Sequence, residues 1–126
     1  MRAIDTNVLV RLITRDHPKQ TEAAEQFVAK GAWVSHLVLA ECLWVLQAVY
    51  ELDSKQIGAA VEMLLTHRDL TVQDADAVSL ALASFRRRPA LGFSDCLIVE
   101  SARKAGHLPL GTLDRGLGRL EGAEQI

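Results

Sequence analysis

Short apolar stretches that can form strands alternate with longer segments of helical periodicity along this chain of 126 residues. The strand candidates are Ala3-Ile4, Trp33-Val34, "LTV" at 70–72 and "LPLGTL" at 108–113. Strands that alternate with helices are typical of βα units, which build a parallel sheet covered by helices on both faces. The pattern therefore predicts an α/β fold whose ligand site lies beyond the carboxyl ends of the strands.

Capping and breaking residues predict where the helices begin and end. Pro18 suits the first turn of a helix that ends at Gly31. The predicted N-caps of the later helices are Ser35, Asp53 or Ser54, Asp74 and Ser94. Pro89 and Gly106 are expected to end the last two of these helices, and a short helical tail is expected after the last strand.

Length, charge and cysteine content restrict the class of protein. The size suits one domain over residues 1–126 with a substantial core. The net charge is −2, so a nucleic-acid ligand would have to be held locally or through cations. No apolar run approaches the ~20 residues of a membrane span, and the N-terminus lacks the apolar region of a signal peptide. We expect a cytoplasmic domain in which Cys42 and Cys96 are buried thiols, with one disulfide as the alternative.

Two acidic residues directly follow strand candidates. Asp5 comes after Ala3-Ile4, and Asp114 comes after "LPLGTL". Each of them alone could be a turn or helix-cap residue. In a parallel sheet, however, both would lie at the edge where ligands bind.

A third acid, Glu41, belongs to a helix that is apolar nearly all round. Between Leu37 and Tyr50 the only polar residues are Glu41 and Gln47, so this helix is expected to be largely buried. A buried carboxylate is costly unless it is paired, protonated or bound to a cation. The alternatives are one buried salt bridge or a position at the edge of the helix.

The fourth acid, Asp95, lies at the start of the predicted helix "SDCLIVESARKAG". At 100° per residue it falls on the side of Ile98 and Val99, with Glu100 and Arg103 on the opposite side. An acid in a first turn also complements the helix dipole, whatever else it does. Its place on the apolar side nevertheless predicts that Asp95 faces inward.

Four carboxylates gathered at one end of a sheet would repel each other unless a cation neutralised them. The ligand set is all oxygen, with no histidine or thiolate, which favours Mg²⁺ or Mn²⁺ over zinc. A metal ion held in this way can activate a water and stabilise the leaving oxygen in phosphodiester cleavage. The four acids therefore predict a metal-dependent hydrolytic site.

Four segments of the chain together resemble the PIN-domain ribonucleases, most closely the VapC-type toxins of bacterial toxin–antitoxin pairs. The segments are "IDTNVLVRLIT", "LAECLWVL", "FSDCLIVESARKAG" and "LGTLDRGL". They occur in the family's order across almost the whole chain, and each contains one of the four acids.

The resemblance implies a PIN-like three-layer α/β/α sandwich with a central parallel sheet and a Mg²⁺- or Mn²⁺-dependent endoribonuclease activity. The catalytic metal ligands that it implies are Asp5, Glu41, Asp95 and Asp114. It also implies that Thr6, Asn7 and Thr112 hold the carboxylates or waters through hydrogen bonds. The implied partners are an RNA substrate, a second copy of the chain, and a cognate antitoxin whose C-terminal segment blocks the acidic site.

One basic cluster, Arg86-Arg87-Arg88, has two interpretations. Basic residues at the end of a helix interact favourably with the helix dipole. They could also contact phosphates beside the acidic site. The sequence leaves both interpretations open.

Two other functional classes compete with the nuclease hypothesis. A phospho-receiver signalling domain is also an α/β domain with an acidic Mg²⁺ site, but it needs paired acids after the first strand, where Asp5 stands alone. It also needs a lysine near a later strand end, and "LGTLDRG" contains none. The second alternative is a non-catalytic dimeric binding module in which the four acids are unrelated caps and turns.

Overall fold

The computed structural model describes residues 1–126, which form short parallel strands and amphipathic helices. The strands are β1 (Arg2–Ala3), β2 (Ala32–Val34), β3 (Leu70–Val72), β4 (Leu110–Thr112) and β5 (Ala123–Gln125). The helices are α1 (Thr6–Thr14), α2 (Pro18–Val28), α3 (His36–Ala48), α4 (Ser54–Thr66), α5 (Ala75–Arg87) and α6 (Phe93–Ala105). Two 3-10 turns cover Pro89–Leu91 and Leu117–Arg119. The chain divides into two compact units, residues 1–75 and residues 76–126.

The first unit contains a three-stranded parallel sheet in the order β1-β2-β3. Ala3 is paired with Trp33, and Trp33 with Thr71. The strands are short, but Val34 and Val72 are buried and anchor the sheet in the core of this unit. The predicted parallel pairing of the first three strands is confirmed.

Side-chain caps start the helices of the first unit as the sequence predicts. The Ser35 hydroxyl accepts a hydrogen bond from the backbone N–H of Val38 at 3.1 Å. Asp53, not Ser54, caps α4, and it forms a capping box with Gln56. Such caps satisfy backbone N–H groups that have no partner within the helix.

The sequence predicts that helix α3 is largely buried, and this prediction is wrong because one side of the helix is exposed. Its inward face carries Leu39, Cys42, Leu43 and Leu46. On the opposite side Leu37 is 77% exposed and Trp44 is 65% exposed. The sequence shows that the whole helix is apolar, but only its neighbours decide which side is covered. An exposed apolar face of this kind is a feature of interaction surfaces.

The second unit pairs β4 with β5 in parallel, and Gly111 lies opposite Glu124. The sequence predicts a helical tail after β4, and this is wrong in part: a 3-10 turn is followed by the strand β5. The stretch "AEQ" has little strand propensity, and its pairing with β4 overrides that local preference. The core of the unit includes Phe85 of α5 and Phe93 of α6, whose rings meet edge to face at 6.0 Å.

Helix α6 differs from the prediction at its start and in its rotation. Ser94 does not cap it, because the helix begins at Phe93 after Gly92, which provides no side-chain cap. The helix ends at Gly106 as predicted, in the left-handed conformation with φ of 83°. Its buried residues include Glu100, and Ile98 is exposed. The inward face is therefore rotated from the predicted one.

Glu100 is buried with a specific partner. Its carboxylate accepts a hydrogen bond from Arg103 Nε at 3.2 Å, and only 8% of the residue is exposed. The pairing at (i, i+3) compensates for part of the cost of burying the charge. The sequence places both residues on the solvent side, which is wrong for Glu100.

The two cysteines are free thiols in buried positions, as the sequence favours. Burial raises the pKa of the Cys42 thiol to about 12. Burial also raises the pKa of Cys96. No helix of the chain has the length and apolar character to cross a membrane.

Gly118 is required by a close approach between the 3-10 turn and β5. A Cβ at this position would lie 2.8 Å from the Cβ of Gln125 and 3.2 Å from its backbone nitrogen. We expect Gly118→Ala to lower the free energy of unfolding by about 1–3 kcal/mol, because backbone must move to admit the methyl group. Urea denaturation of the purified variant measures this loss.

Gly116→Ala provides the matched control. Its Cβ would meet no atom nearer than Leu91 Cδ2 at 3.4 Å, and its backbone is in the right-handed helical region. We expect a change within about 0.5 kcal/mol, as for ordinary surface substitutions. Equal destabilisation by both variants would contradict the argument from the contact with Gln125.

Candidate active site

Asp5 is positioned by the turn that joins β1 to α1. It is the N-cap of α1, and its Oδ1 accepts a hydrogen bond from the backbone N–H of Val8 at 3.2 Å. This bond fixes the carboxylate and leaves the second oxygen available to a ligand. Neither Thr6 nor Asn7 donates a side-chain hydrogen bond to the carboxylate, and their predicted role in holding waters stays a prediction.

Glu41 lies in the second turn of α3, which follows β2. It is exposed, so the expectation of a buried carboxylate is wrong. Because β1 and β2 are parallel neighbours with Ala3 opposite Trp33, Asp5 and the N-cap Ser35 lie at the same edge of the sheet. Glu41 is six residues further along, or roughly 9 Å along the helix axis. Asp5 and Glu41, the two predicted ligands in the first unit, therefore follow the carboxyl ends of neighbouring strands, where α/β folds bind ligands.

Asp95 and Asp114 interact with each other in the second unit. Asp95 is half-buried in the first turn of α6. Burial raises the pKa of the Asp95 carboxyl, and the negative charge of Asp114 raises it further. Two carboxylates are thus held within electrostatic reach of each other.

Backbone and side-chain hydrogen bonds fix Asp114 just after β4. Its backbone N–H donates to the hydroxyl oxygen of Thr112 at 3.0 Å. Its Oδ2 accepts from the backbone N–H of Leu117 at 3.1 Å. Thr112 therefore contacts Asp114 through the main chain, which is compatible with the supporting role that the resemblance implies.

The four predicted ligands are divided equally between the two units of the chain. Neither unit by itself gathers three or more His, Cys, Asp or Glu side chains as a metal site. None of the four acids forms an ion pair with an arginine, lysine or histidine. In contrast, acids elsewhere in the chain do form ion pairs, among them Asp16, Glu25, Asp69, Asp76 and Glu100.

The chemistry of this donor set fits a hard divalent cation. All four side chains offer carboxylate oxygen, which Mg²⁺ and Mn²⁺ prefer. The repulsion between Asp95 and Asp114 is not relieved by any basic side chain, so a bound cation would stabilise this pair. That Asp5, Glu41, Asp95 and Asp114 together hold such an ion stays a prediction.

The basic cluster Arg86-Arg87-Arg88 closes α5. All three residues are exposed, and Arg87 Nη2 donates to the Ser84 hydroxyl at 3.3 Å. Arg86 and Arg87 belong to the last turn of the helix, where a positive charge is favourable. A contact between this cluster and phosphates stays a prediction.

A cavity of about 500 Å³ beside Asp5 is the feature that the sequence analysis missed. Arg11 and Gln20 contribute its fixed polar groups, and their side chains are hydrogen-bonded at 2.7 Å. These residues belong to successive helices, so no local pattern in the sequence indicates that they meet.

A comparison with protein families identifies the chain. The family model described as "PIN domain" matches residues 3–123, which is nearly the whole sequence. The chain belongs to the PIN-domain family. PIN domains are generally nucleases that use divalent metal ions, and the match confirms the predicted α/β fold class with its parallel strands. It favours the nuclease hypothesis over the phospho-receiver alternative. No curated protein matches the chain.

Proposed function

We propose that this PIN-domain protein is a Mg²⁺- or Mn²⁺-dependent endoribonuclease and the toxin of a type II toxin–antitoxin pair. The observation that carries the nuclease proposal is the position of Asp95, in the first turn of α6, and of Asp114, fixed after β4 by the Leu117 N–H; neither carboxylate has a basic partner, and the charge of Asp114 raises the pKa of Asp95. Carboxylates that repel each other without a basic partner are stabilised by a divalent cation, and PIN domains generally use such ions.

The proposed ligands are Asp5, Glu41, Asp95 and Asp114. A divalent ion bound there supplies an activated water and charge stabilisation for hydrolysis of a phosphodiester bond. Asp5 is held ready for this role by its hydrogen bond to Val8. Asp114 is held by Thr112 and Leu117. Ligands that are fixed before binding lose little conformational entropy when the ion arrives.

The toxin role is supported by the resemblance of the four acidic segments to VapC-type toxins. The exposed apolar side chains of α3, among them Leu37 and Trp44, are compatible with contacts to protein partners. We propose an antitoxin and a second copy of this chain as those partners. A small neighbouring gene for a DNA-binding antitoxin would support this role, and gel filtration with light scattering tests the dimer.

Metal binding can be tested through thermal stability. Because a ligand that binds only the folded state stabilises it, Mn²⁺ at 100 times its Kd should add about 2.7 kcal/mol to the free energy of unfolding. We expect a rise in melting temperature for the wild type and a much smaller rise for Asp95→Asn or Asp114→Asn. Differential scanning fluorimetry over a Mn²⁺ series measures it.

The matched control is Asp76→Asn, which changes an exposed acid in α5 that is paired with Lys104. Its response to Mn²⁺ should equal that of the wild type. If Mn²⁺ stabilises neither the wild type nor the control, the four acids do not form a metal site. The non-catalytic binding module would then be the better description.

A further inference from the structure

The cavity beside Asp5 lies between α1 and α2, and the metal-site proposal leaves it without a function. Its volume of about 500 Å³ is within the range of small-molecule pockets, roughly 300–1,000 Å³. Asp5 forms part of its wall. A ligand in this cavity would therefore adjoin one of the proposed metal ligands.

One wall of the cavity is apolar. It is formed by Val8 of α1 together with Ala23, Ala24 and Phe27 of α2. The Phe27 ring is held in place by the guanidinium of Arg2, which lies 3.7 Å from its centroid. A wall of small aliphatic groups and one aromatic ring suits the flat face of a base.

The polar side of the cavity is built around Arg11. Its Nε donates to Gln20 Oε1 at 2.7 Å, and its Nη1 donates to Asp16 at 3.0 Å and to Tyr50 Oη at 3.1 Å. The Tyr50 hydroxyl donates in turn to Asp16 Oδ2 at 2.7 Å. Arg11 is thus held on three sides within the first unit, and its Nη2 group remains available to donate.

The side-chain amide of Gln20 also keeps a free donor group when it is bonded to Arg11. Arginine can only donate hydrogen bonds, so the Gln20 atom that faces Arg11 Nε has to be the carbonyl oxygen. The side-chain NH₂ of Gln20 then remains for a ligand. Donor groups of Arg11 and Gln20 therefore accompany the apolar wall, together with the amide of Asn7, which can donate or accept.

We propose that this cavity binds a guanine base of the RNA substrate, next to the phosphodiester that the acidic site cleaves. Guanine presents two adjacent acceptors, O6 and N7, whereas adenine presents a donor beside its N7 and cytosine presents a donor at N4. The donors of Arg11 and Gln20, which line the cavity, suit an edge that presents acceptors only. This inference rests on the proposed ribonuclease function and adds a sequence preference to it.

The charges near the cavity favour a base over a phosphate. Asp5 contributes a carboxylate to the wall, and the charge of Arg11 is already paired with Asp16 at 3.0 Å. An anionic group would meet the uncompensated charge of Asp5, whereas a neutral base would not.

Nucleotide binding tests the proposal without requiring cleavage. We expect the full-length protein in EDTA to bind GMP about tenfold more tightly than AMP. Both nucleotides carry the same phosphate and ribose, so the ratio of their affinities reports on the base alone. Isothermal titration calorimetry or NMR titration measures it. Gln20→Leu should bring the ratio close to one, and Ala23→Leu should weaken GMP binding about tenfold or more by filling the cavity.

Two control variants distinguish a loss of binding caused by a change in the cavity from one caused by a general effect on the fold. Gln26→Leu changes the other exposed glutamine on α2, and Ala59→Leu adds the same bulk on α4; neither residue lines the cavity. Both should retain the wild-type ratio and affinity. Equal affinity for GMP and AMP in the wild type would overturn the proposal. Unchanged GMP binding by Ala23→Leu would also overturn it, because GMP would then bind outside the cavity. That second result is expected if the cavity serves a protein partner instead.

The outcome is independent of the proposed catalytic site, because the mononucleotides contain no phosphodiester to cleave and EDTA removes the metal. Guanine preference with no RNA cleavage by the metal-loaded protein would reject the ribonuclease function alone. Cleavage without guanine preference would reject only the base pocket.

Discussion

Asp5→Asn is expected to lose metal-dependent RNA cleavage by at least about two orders of magnitude, because a ligand to an ion that supplies several kcal/mol of catalysis is removed. The fold should stay intact. Asparagine is as good an N-cap as aspartate, so the hydrogen bond from the Val8 N–H can be kept while the charge is lost. The measurement is the cleavage rate of a labelled RNA in Mn²⁺, together with the circular dichroism spectrum and melting temperature of the variant.

The matched control for this variant is Asp53→Asn. Asp53 is also an N-cap aspartate, at the start of α4, but it is not one of the proposed metal ligands. The two variants change the same group in the same local setting, and only Asp5→Asn should lose activity. Cleavage by Asp5→Asn at the wild-type rate would remove Asp5 from the proposed site.

Phe85→Ala is expected to have the largest effect on stability, a loss of about 3–5 kcal/mol in the free energy of unfolding. Phe85 is 1% exposed, and its ring contacts Phe93 edge to face at 6.0 Å. Truncation removes apolar contacts and leaves a cavity that the helices can fill only in part. A typical domain has about 5–15 kcal/mol of stability, so the variant should be close to unfolding at 37 °C. Chemical denaturation at 25 °C gives the difference.

Leu80→Ala on the same helix is the control, since Leu80 is 55% exposed. It should change the free energy of unfolding by about 0.5 kcal/mol or less. A loss in Phe85→Ala no greater than that of Leu80→Ala would show that the contact with Phe93 contributes little to the second unit.

Local sequence signals predicted the elements whose cause is itself local. Ser35 and Asp53 start their helices because a side-chain oxygen satisfies a backbone N–H a few residues away. Gly106 ends α6 because it adopts a left-handed conformation at little cost. The first three strands and their parallel pairing were predicted from the alternation of strand and helix.

Most of the predictions that failed depend on residues distant in the chain, whereas the failed Ser94 cap has a local cause, since α6 begins at Phe93. The fifth strand forms because β4 offers a pairing edge to a weakly strand-forming segment. Glu100 is buried although its residue type favours solvent; its partner Arg103 is local, but the burial of that side of α6 depends on the rest of the second unit. The meeting of Arg11 with Gln20 and Tyr50, which shapes the cavity beside Asp5, likewise has no signal in any short window of sequence.

The sequence by itself determined the α/β class, most helix ends, and the four acidic segments that relate this chain to PIN domains. Only the tertiary structure decided which side of α3 is exposed, how α6 is rotated, and that Asp95 and Asp114 interact. The physical reason is that hydrophobic periodicity records how amphipathic a segment is, whereas burial and charge coupling depend on the atoms that pack against it from elsewhere in the chain.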